Sequence, residues 1–431
     1  MSFINKENSL ILIISLLIII SFFVGFSLNE NSAGAGGYKG DFGEFIWPNL
    51  QLFRENIFTN MFSENYTDSR TPVAYILHAL INPFTSNQES FRLTVFIISL
   101  FCPFFLFLNL KLKFYTEKKY FLFLLSLLLL LSPYFRTSAF WGLNENYGLL
   151  TLLISFYFYQ KIILKTKSRE IKYYEIFLIA FSSSLCFYFD QKLLIFPLIL
   201  FFLIITNINI NIKLKITTFL LYFVFGLPAL YMFYKWQGIL PMNALAARKT
   251  NAQLNLLNLG YASSIIFFYI IPFLMIEKKL LTNLMSFLKK NFFLYFTPFL
   301  IYLVIILFFS NFYEDNSSIG RGVFFKLANV LFVNSNIKFL FTALIFFISW
   351  LAIYYFLREN FFDKLFYFYF LFISLFIYPI FQEYFDPLIL ILIFTFWQKK
   401  ILINKKNILF LTTYFSFFLI FSNAYYLYLL N

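Results

Sequence analysis

One histidine and two cysteines are all that 431 residues offer to a transition metal or a thiol mechanism. His78 stands alone in the run Ala74–Ala79, where an imidazole is expected to anchor a membrane interface. Cys102 and Cys186 lie inside apolar runs without metal-ligand spacing, so a zinc site and a disulfide framework are both excluded. There is no Walker loop and no Gly-x-Ser-x-Gly, which argues against a P-loop transporter and a Ser-His-Asp hydrolase. Charge is scarce too. Charged residues make up 13% of the chain against 61% hydrophobic, and the mean hydropathy is +0.77. A soluble protein of this length needs far more charge to cover its surface.

What is present is apolar sequence in long runs. Leu10–Leu28, Phe121–Leu131 and Phe292–Ser310 carry no polar stripe, so they need lipid or apolar helices on every side. The expected fold class is an all-α polytopic membrane protein forming a single transmembrane domain over 1–431, with no separate soluble domain. About thirteen spans are read at 10–28, 91–110, 120–134, 147–164, 174–189, 193–206, 216–234, 261–276, 292–310, 337–357, 365–380, 387–398 and 407–428. The first run is longer than a signal-peptide core, which favours an uncleaved first helix over a cleaved leader.

Basic residues orient the chain. The net charge of +14 would suggest nucleic acid in a soluble protein, but here it follows the positive-inside rule and no nucleic-acid partner is expected. With the N-terminus inside, Lys6 and the inner segments 111–119, 161–172, 213–215, 278–290, 358–364 and 399–406 hold 22 of the 34 Lys and Arg residues. Acidic residues run the other way, with 13 of 20 outside. The largest outer segment, 29–90, has room for surface helices. Within it 72–84 is apolar but too short to span, as an interfacial helix is.

Candidate chemistry collects on that outer face. Asp41 follows a glycine-rich turn, Gly36-Gly37-Tyr38-Lys39-Gly40, that lets the backbone place one carboxylate close to the membrane. Glu44 comes three residues later and would share a helical face with it. The bland alternative is a solvated acidic loop with Asp41 as a helix cap. Glu145 opens the fourth span in Trp141-Gly142-Leu143-Asn144-Glu145. Asp190 and Lys192 occupy a tight outer turn, where charge beside hydrocarbon is costly and favours a paired or functional role; for Lys192, snorkelling to lipid headgroups is the equal alternative. Arg70, Arg92, Arg136, Arg248, Lys249 and Arg321 are the other outer cations, suited to a phosphate or pyrophosphate.

The order of these features resembles the GT-C class of membrane glycosyltransferases, most closely the branch with protein mannosyltransferases and the lipid A aminoarabinose transferase. The matching pieces are Asp41 after the first helix, Ser69-Arg70-Thr71-Pro72 with Tyr75 after it, and Phe91-Arg92-Leu93. Leu131-Ser132-Pro133-Tyr134-Phe135-Arg136, Asn144-Glu145-Asn146, and Lys192 with Pro197 complete the set. They span about the first 200 residues. The resemblance implies an inverting transferase that moves a sugar from a polyprenyl-phosphate donor to an envelope glycan, lipid or protein acceptor. Its place would be the bacterial cytoplasmic membrane, with the active site facing the periplasm or exterior.

In that reading Asp41 is the general base, with Glu44 or Glu145 assisting. Arg70, Arg92, Arg136 and Lys192, with Asp190 beside the last, bind phosphate. A divalent metal, Mg or Mn, is left open, because Asp41-Phe42 replaces the usual acidic pair. The segment Phe381–Pro387 also departs from the family, which often carries a basic residue there. The alternative is a transporter or flippase of a lipid-linked saccharide. That would call for paired charges at mid-membrane and an inverted repeat, and the sequence has neither.

Overall fold

The computed structural model describes residues 6–32, 38–165, 171–238, 240–241, 254–277, 279–309, 320–377, 379–398 and 401–429. Gly36 and Gly37 of the glycine-rich turn and the basic residues Lys167, Arg169, Arg248, Lys249, Lys278, Lys399 and Lys400 lie outside them. Every regular element among the described residues is helical. A hydrocarbon environment imposes this, since a helix satisfies its own backbone groups within one segment.

The chain divides into two compact units, one of residues 1–249 and 412–431, the other of 250–411. In the first, α1 (Lys6–Ser27) leads to a wide-turned helix over Tyr38–Ile46 and then α2 (Trp47–Glu55). After α3 (Val73–Ile81) comes the long α4 (Gln88–Lys113). Next are α5 (Lys119–Leu131), α6 (Pro133–Trp141), α7 (Glu145–Lys165), α8 (Tyr173–Phe189), α9 (Gln191–Thr206) and α10 (Ile212–Trp236). The second unit holds α11 (Leu257–Met275), α12 (Leu280–Phe309), α13 (Gly322–Leu331), α14 (Ser335–Phe356), α15 (Phe361–Ser374) and α16 (Leu388–Phe394). The last helix, α17, is Lys405–Leu429.

The expectation of about thirteen spans is corrected. Eight of the described helices are long and apolar enough to cross a membrane, or nine if the bent pair α5–α6 is one span. Four expected spans, 174–189, 193–206, 365–380 and 387–398, fall on shorter helices. A 17-residue helix such as α8 is roughly 25 Å long, short of a hydrocarbon core of ~30 Å. α15 has 14 residues and α16 only seven. Hydropathy misleads here because apolar residues serve burial in protein as well as in lipid. All seven residues of α16 are buried.

Local sequence explains the breaks. The 69° bend between α5 and α6 falls where Pro133 forces Ser132 into an extended conformation. The Ser132 hydroxyl then accepts from the Phe135 N–H at 3.0 Å and caps α6. In α10, Pro228 sits inside the helix. The Tyr188 hydroxyl bridges the turn around it, accepting from the Ala229 N–H at 3.0 Å and donating to the Phe225 carbonyl at 2.6 Å. Backbone groups disturbed by proline are thereby paired again.

In the second unit, Asn258 donates to the carbonyls of Ser374 at 2.8 Å and Ile377 at 2.5 Å, tying α11 to the end of α15. The start of α7 is held just as firmly in the first unit. Asn146 Nδ2 donates to Ser99 Oγ at 2.9 Å and to the Phe135 carbonyl at 3.1 Å, which fixes Glu145 beside it.

Candidate functional site

The site belongs to the first unit and is assembled from four stretches of chain: the wide-turned helix, the loop before α3, the start of α7 and the turn after α8. Asp41 is half-buried on the first of these. Burial pushes its carboxyl up to about 6 from 3.8. Arg70 opposes that rise, Glu145 and Asp68 reinforce it, and Lys192 opposes it more weakly. A group acted on by four charges from three other segments stands at a convergence point.

Arg70 is the hub. Its Nη1 lies 3.4 Å from Asp68 Oδ1, and its Nη2 donates to Glu145 Oε1. Its N–H donates to Asp68 Oδ1 at 3.1 Å, while the Tyr66 hydroxyl donates to its carbonyl. Burial works against the guanidinium charge, but Glu145, Asp68 and Asp41 overcome it and hold Arg70 well above its ordinary range. Asp68 itself is buried, and the Tyr75 hydroxyl donates to its second oxygen. The Thr71 hydroxyl donates to the Tyr188 carbonyl and pins this loop to α8.

Glu145 opens α7, where the helix N-terminus favours an anion. Its Oε2 is buried and makes no hydrogen bond, which leaves one acceptor free beside an occupied one. Across the site, Asp190 caps the short turn after α8, its Oδ1 accepting from the Lys192 N–H at 3.1 Å. Its Oδ2 lies 3.2 Å from Lys192 Nζ, and about a quarter of the Lys192 side chain stays exposed.

Gly148 makes this junction feasible. A Cβ there would stand 2.9 Å from Leu193 Cδ1 and 3.1 Å from Asp190 Cβ.

The other expected site residues go elsewhere. Glu44 is exposed and does not share a face with Asp41. In a helix bonded i→i+5, residues three apart no longer stack as they do in an α-helix. Arg92 donates to the Phe140 carbonyl at 2.6 Å and to Asn29 Oδ1 at 2.7 Å, with its guanidinium 4.0 Å from the Trp141 ring. Arg136 is buried and grips Glu30 through Nε at 2.8 Å and Nη2 at 2.5 Å, with further bonds to the Ser21 and Leu130 carbonyls. Both arginines tie helices together. Asp68 and Tyr66 are the members that sequence reasoning missed, while Tyr75 entered it only as the aromatic residue after the Arg70 motif. The available signal was an acidic residue two positions before Arg70, the spacing of a carboxylate that folds back onto the backbone of a turn.

A mainly apolar cavity of about 440 Å³ lies next to the charged cluster, lined among others by Leu77, Ile81, Phe84, Ile97 and Ile98. Its polar side chains are paired, Thr94 Oγ1 donating to the Ser90 carbonyl at 2.9 Å. His78 Nε2 pairs with the Tyr147 hydroxyl at 2.8 Å, and His78 Nδ1 with Asn82 at 3.2 Å. Contrary to an interface anchor, His78 is buried, and burial lowers its pKa to about 4, so the ring is neutral. Three elements serve both places: α3 carries Tyr75 and His78 one turn apart, α7 carries Glu145 and Tyr147, and Phe189 precedes Asp190.

No three His, Cys, Asp or Glu side chains among the described residues converge as a metal would require. The Arg70 guanidinium occupies the position between Asp68 and Glu145 that a divalent ion would need. This donor set does not fit a metal. The chain matches no protein-family model, no curated protein and no solved structure.

Proposed function

We propose that this chain is a membrane glycosyltransferase that moves a sugar from a polyprenyl-phosphate donor to an acceptor hydroxyl or amine outside the cytoplasm, with inversion. The observation that carries the reading is the meeting of Asp41 with Arg70, Glu145 and Lys192 from four separate stretches of chain. Asp41 is the general base. It takes the acceptor proton as the acceptor attacks the anomeric carbon and the carbon–oxygen bond to phosphate breaks. A carboxyl near 6 accepts a proton at neutral pH and still releases it afterwards.

Lys192, partly exposed and held by Asp190, meets the departing phosphate. Arg70, with both arms on carboxylates, acts through space. The apolar cavity takes the first part of the donor's hydrocarbon chain, because it adjoins the charged cluster and leaves no unpaired polar group for a hydrophilic ligand.

The orientation follows the charges, with 111–119 inside and Asp41 outside. Dropping 174–189 with 193–206, and 365–380 with 387–398, removes spans in pairs, so the other loops keep their side; α8 and α9 then enter as a hairpin from the inner side, and its tip carries Asp190 and Lys192 up to Asp41. The test is a reconstitution in vesicles that contain polyprenyl-phosphate-linked sugars, with free polyprenyl phosphate followed by mass spectrometry. Acceptor-dependent release is expected. Movement of intact donor between leaflets without release would replace this reading with transport.

A further inference from the structure

We propose that Asp68 is a positioning residue: held by Tyr75, it takes one arm of the Arg70 guanidinium and thereby sets the other arm on Glu145. The geometry is specific. Asp68 is buried, and each of its oxygens is used: Oδ1 by the N–H and Nη1 of Arg70, and Oδ2 by the Tyr75 hydroxyl. Arg70 is in turn fixed at its amide, its carbonyl and both terminal nitrogens. A planar guanidinium shared by two carboxylates has little freedom to rotate. A loop that needed only to fold would not require a buried carboxylate, since its turn bond to the Arg70 N–H can be supplied by a neutral side chain.

The consequence reaches Asp41. The charged groups acting on it are Arg70, Glu145, Asp68 and Lys192. While Asp68 occupies Arg70, the guanidinium is kept from turning fully to Asp41. Asp68 also adds its own negative charge, and both effects favour the protonated form of Asp41. Asp68→Asn removes both together, so the Asp41 carboxyl should ionise at lower pH. This electrostatic claim stands by itself; only its catalytic meaning rests on the transferase reading.

The experiment is an infrared pH titration of the whole protein in lipid nanodiscs, with the protonated-carboxyl band of Asp41 identified by its loss in Asp41→Asn. Asp68→Asn should move the midpoint down by roughly one pH unit, the scale of one nearby charge. Asp68→Glu, which restores charge but not reach, should return the midpoint only in part while kcat stays about tenfold low at unchanged donor KM. An unchanged midpoint in Asp68→Asn overturns the proposal.

If Asp68→Asn does not fold, Tyr75→Phe decides. Freeing Asp68 should cost about tenfold in kcat with KM unchanged, and a wild-type kcat overturns the proposal. A shifted midpoint in a protein that transfers no sugar would defeat only the transferase reading.

Discussion

Asp41 shows how burial sets the chemistry of one side chain. Its carboxyl is raised from 3.8 to about 6 first by desolvation, with Glu145 and Asp68 adding to the effect. A base must be ionised to work, so kcat/KM should fall about tenfold per pH unit below pH 6, and a profile flat down to pH 5 would contradict the assignment. The stability sign is the reverse of the usual carboxylate. The folded state holds this proton more tightly than the unfolded chain does, so Asp41 stabilises the fold as pH falls from about 6 toward 4 and penalises it above 6. Asp41→Asn should therefore raise the melting temperature at pH 8 and lose that advantage at pH 4, read by thermal unfolding in detergent. Asp41, Glu145 and Lys192 were legible as isolated charges beside hydrocarbon. Asp68 was legible only as a turn residue two positions before Arg70; its burial shows once Tyr75 and Arg70 are seen closing on it.

At the scale of elements, caps and prolines decide the geometry more than hydropathy does. Ser132-Pro133 bends α5 from α6, and Asp190 ends α8 in an extended residue and starts the turn that presents Lys192. Those signals were readable in sequence as Pro and Asp at the ends of apolar runs. The failure of 365–380 and 387–398 as spans was not, since a buried apolar segment and a lipid-facing one have the same composition.

Gly148 is the element-level test, where α7 meets the Asp190 turn with no room for a methyl group. Gly148→Ala should cost about 1–3 kcal/mol through overpacking and should raise the donor KM, since the turn carrying Lys192 must move. Thermal unfolding and donor titration would check both. A variant as stable as wild type with unchanged KM would show that the turn yields freely.

For the whole molecule, the eight or nine described helices long and apolar enough to cross a membrane are compatible with the charge-based orientation, because the lost spans are adjacent pairs. Single cysteines at 40 and at 165, in a background with Cys102 and Cys186 replaced by Ala, should label from outside and only after permeabilisation, respectively. Equal outside labelling at both would invert or break the topology. Composition was enough for the membrane class. The division into two compact units leaves no mark on a chain that is apolar throughout.

The claim that a carboxylate-based transfer occurs in the first unit is tested most directly by release of polyprenyl phosphate from vesicles carrying Asp41→Asn, with Glu44→Gln alongside. Asp41→Asn keeps shape but not basicity and should lower release ~10²-fold or more. Exposed Glu44→Gln should leave release within about twofold of wild type, the small effect of a surface change away from the site. Wild-type release by Asp41→Asn would contradict the account.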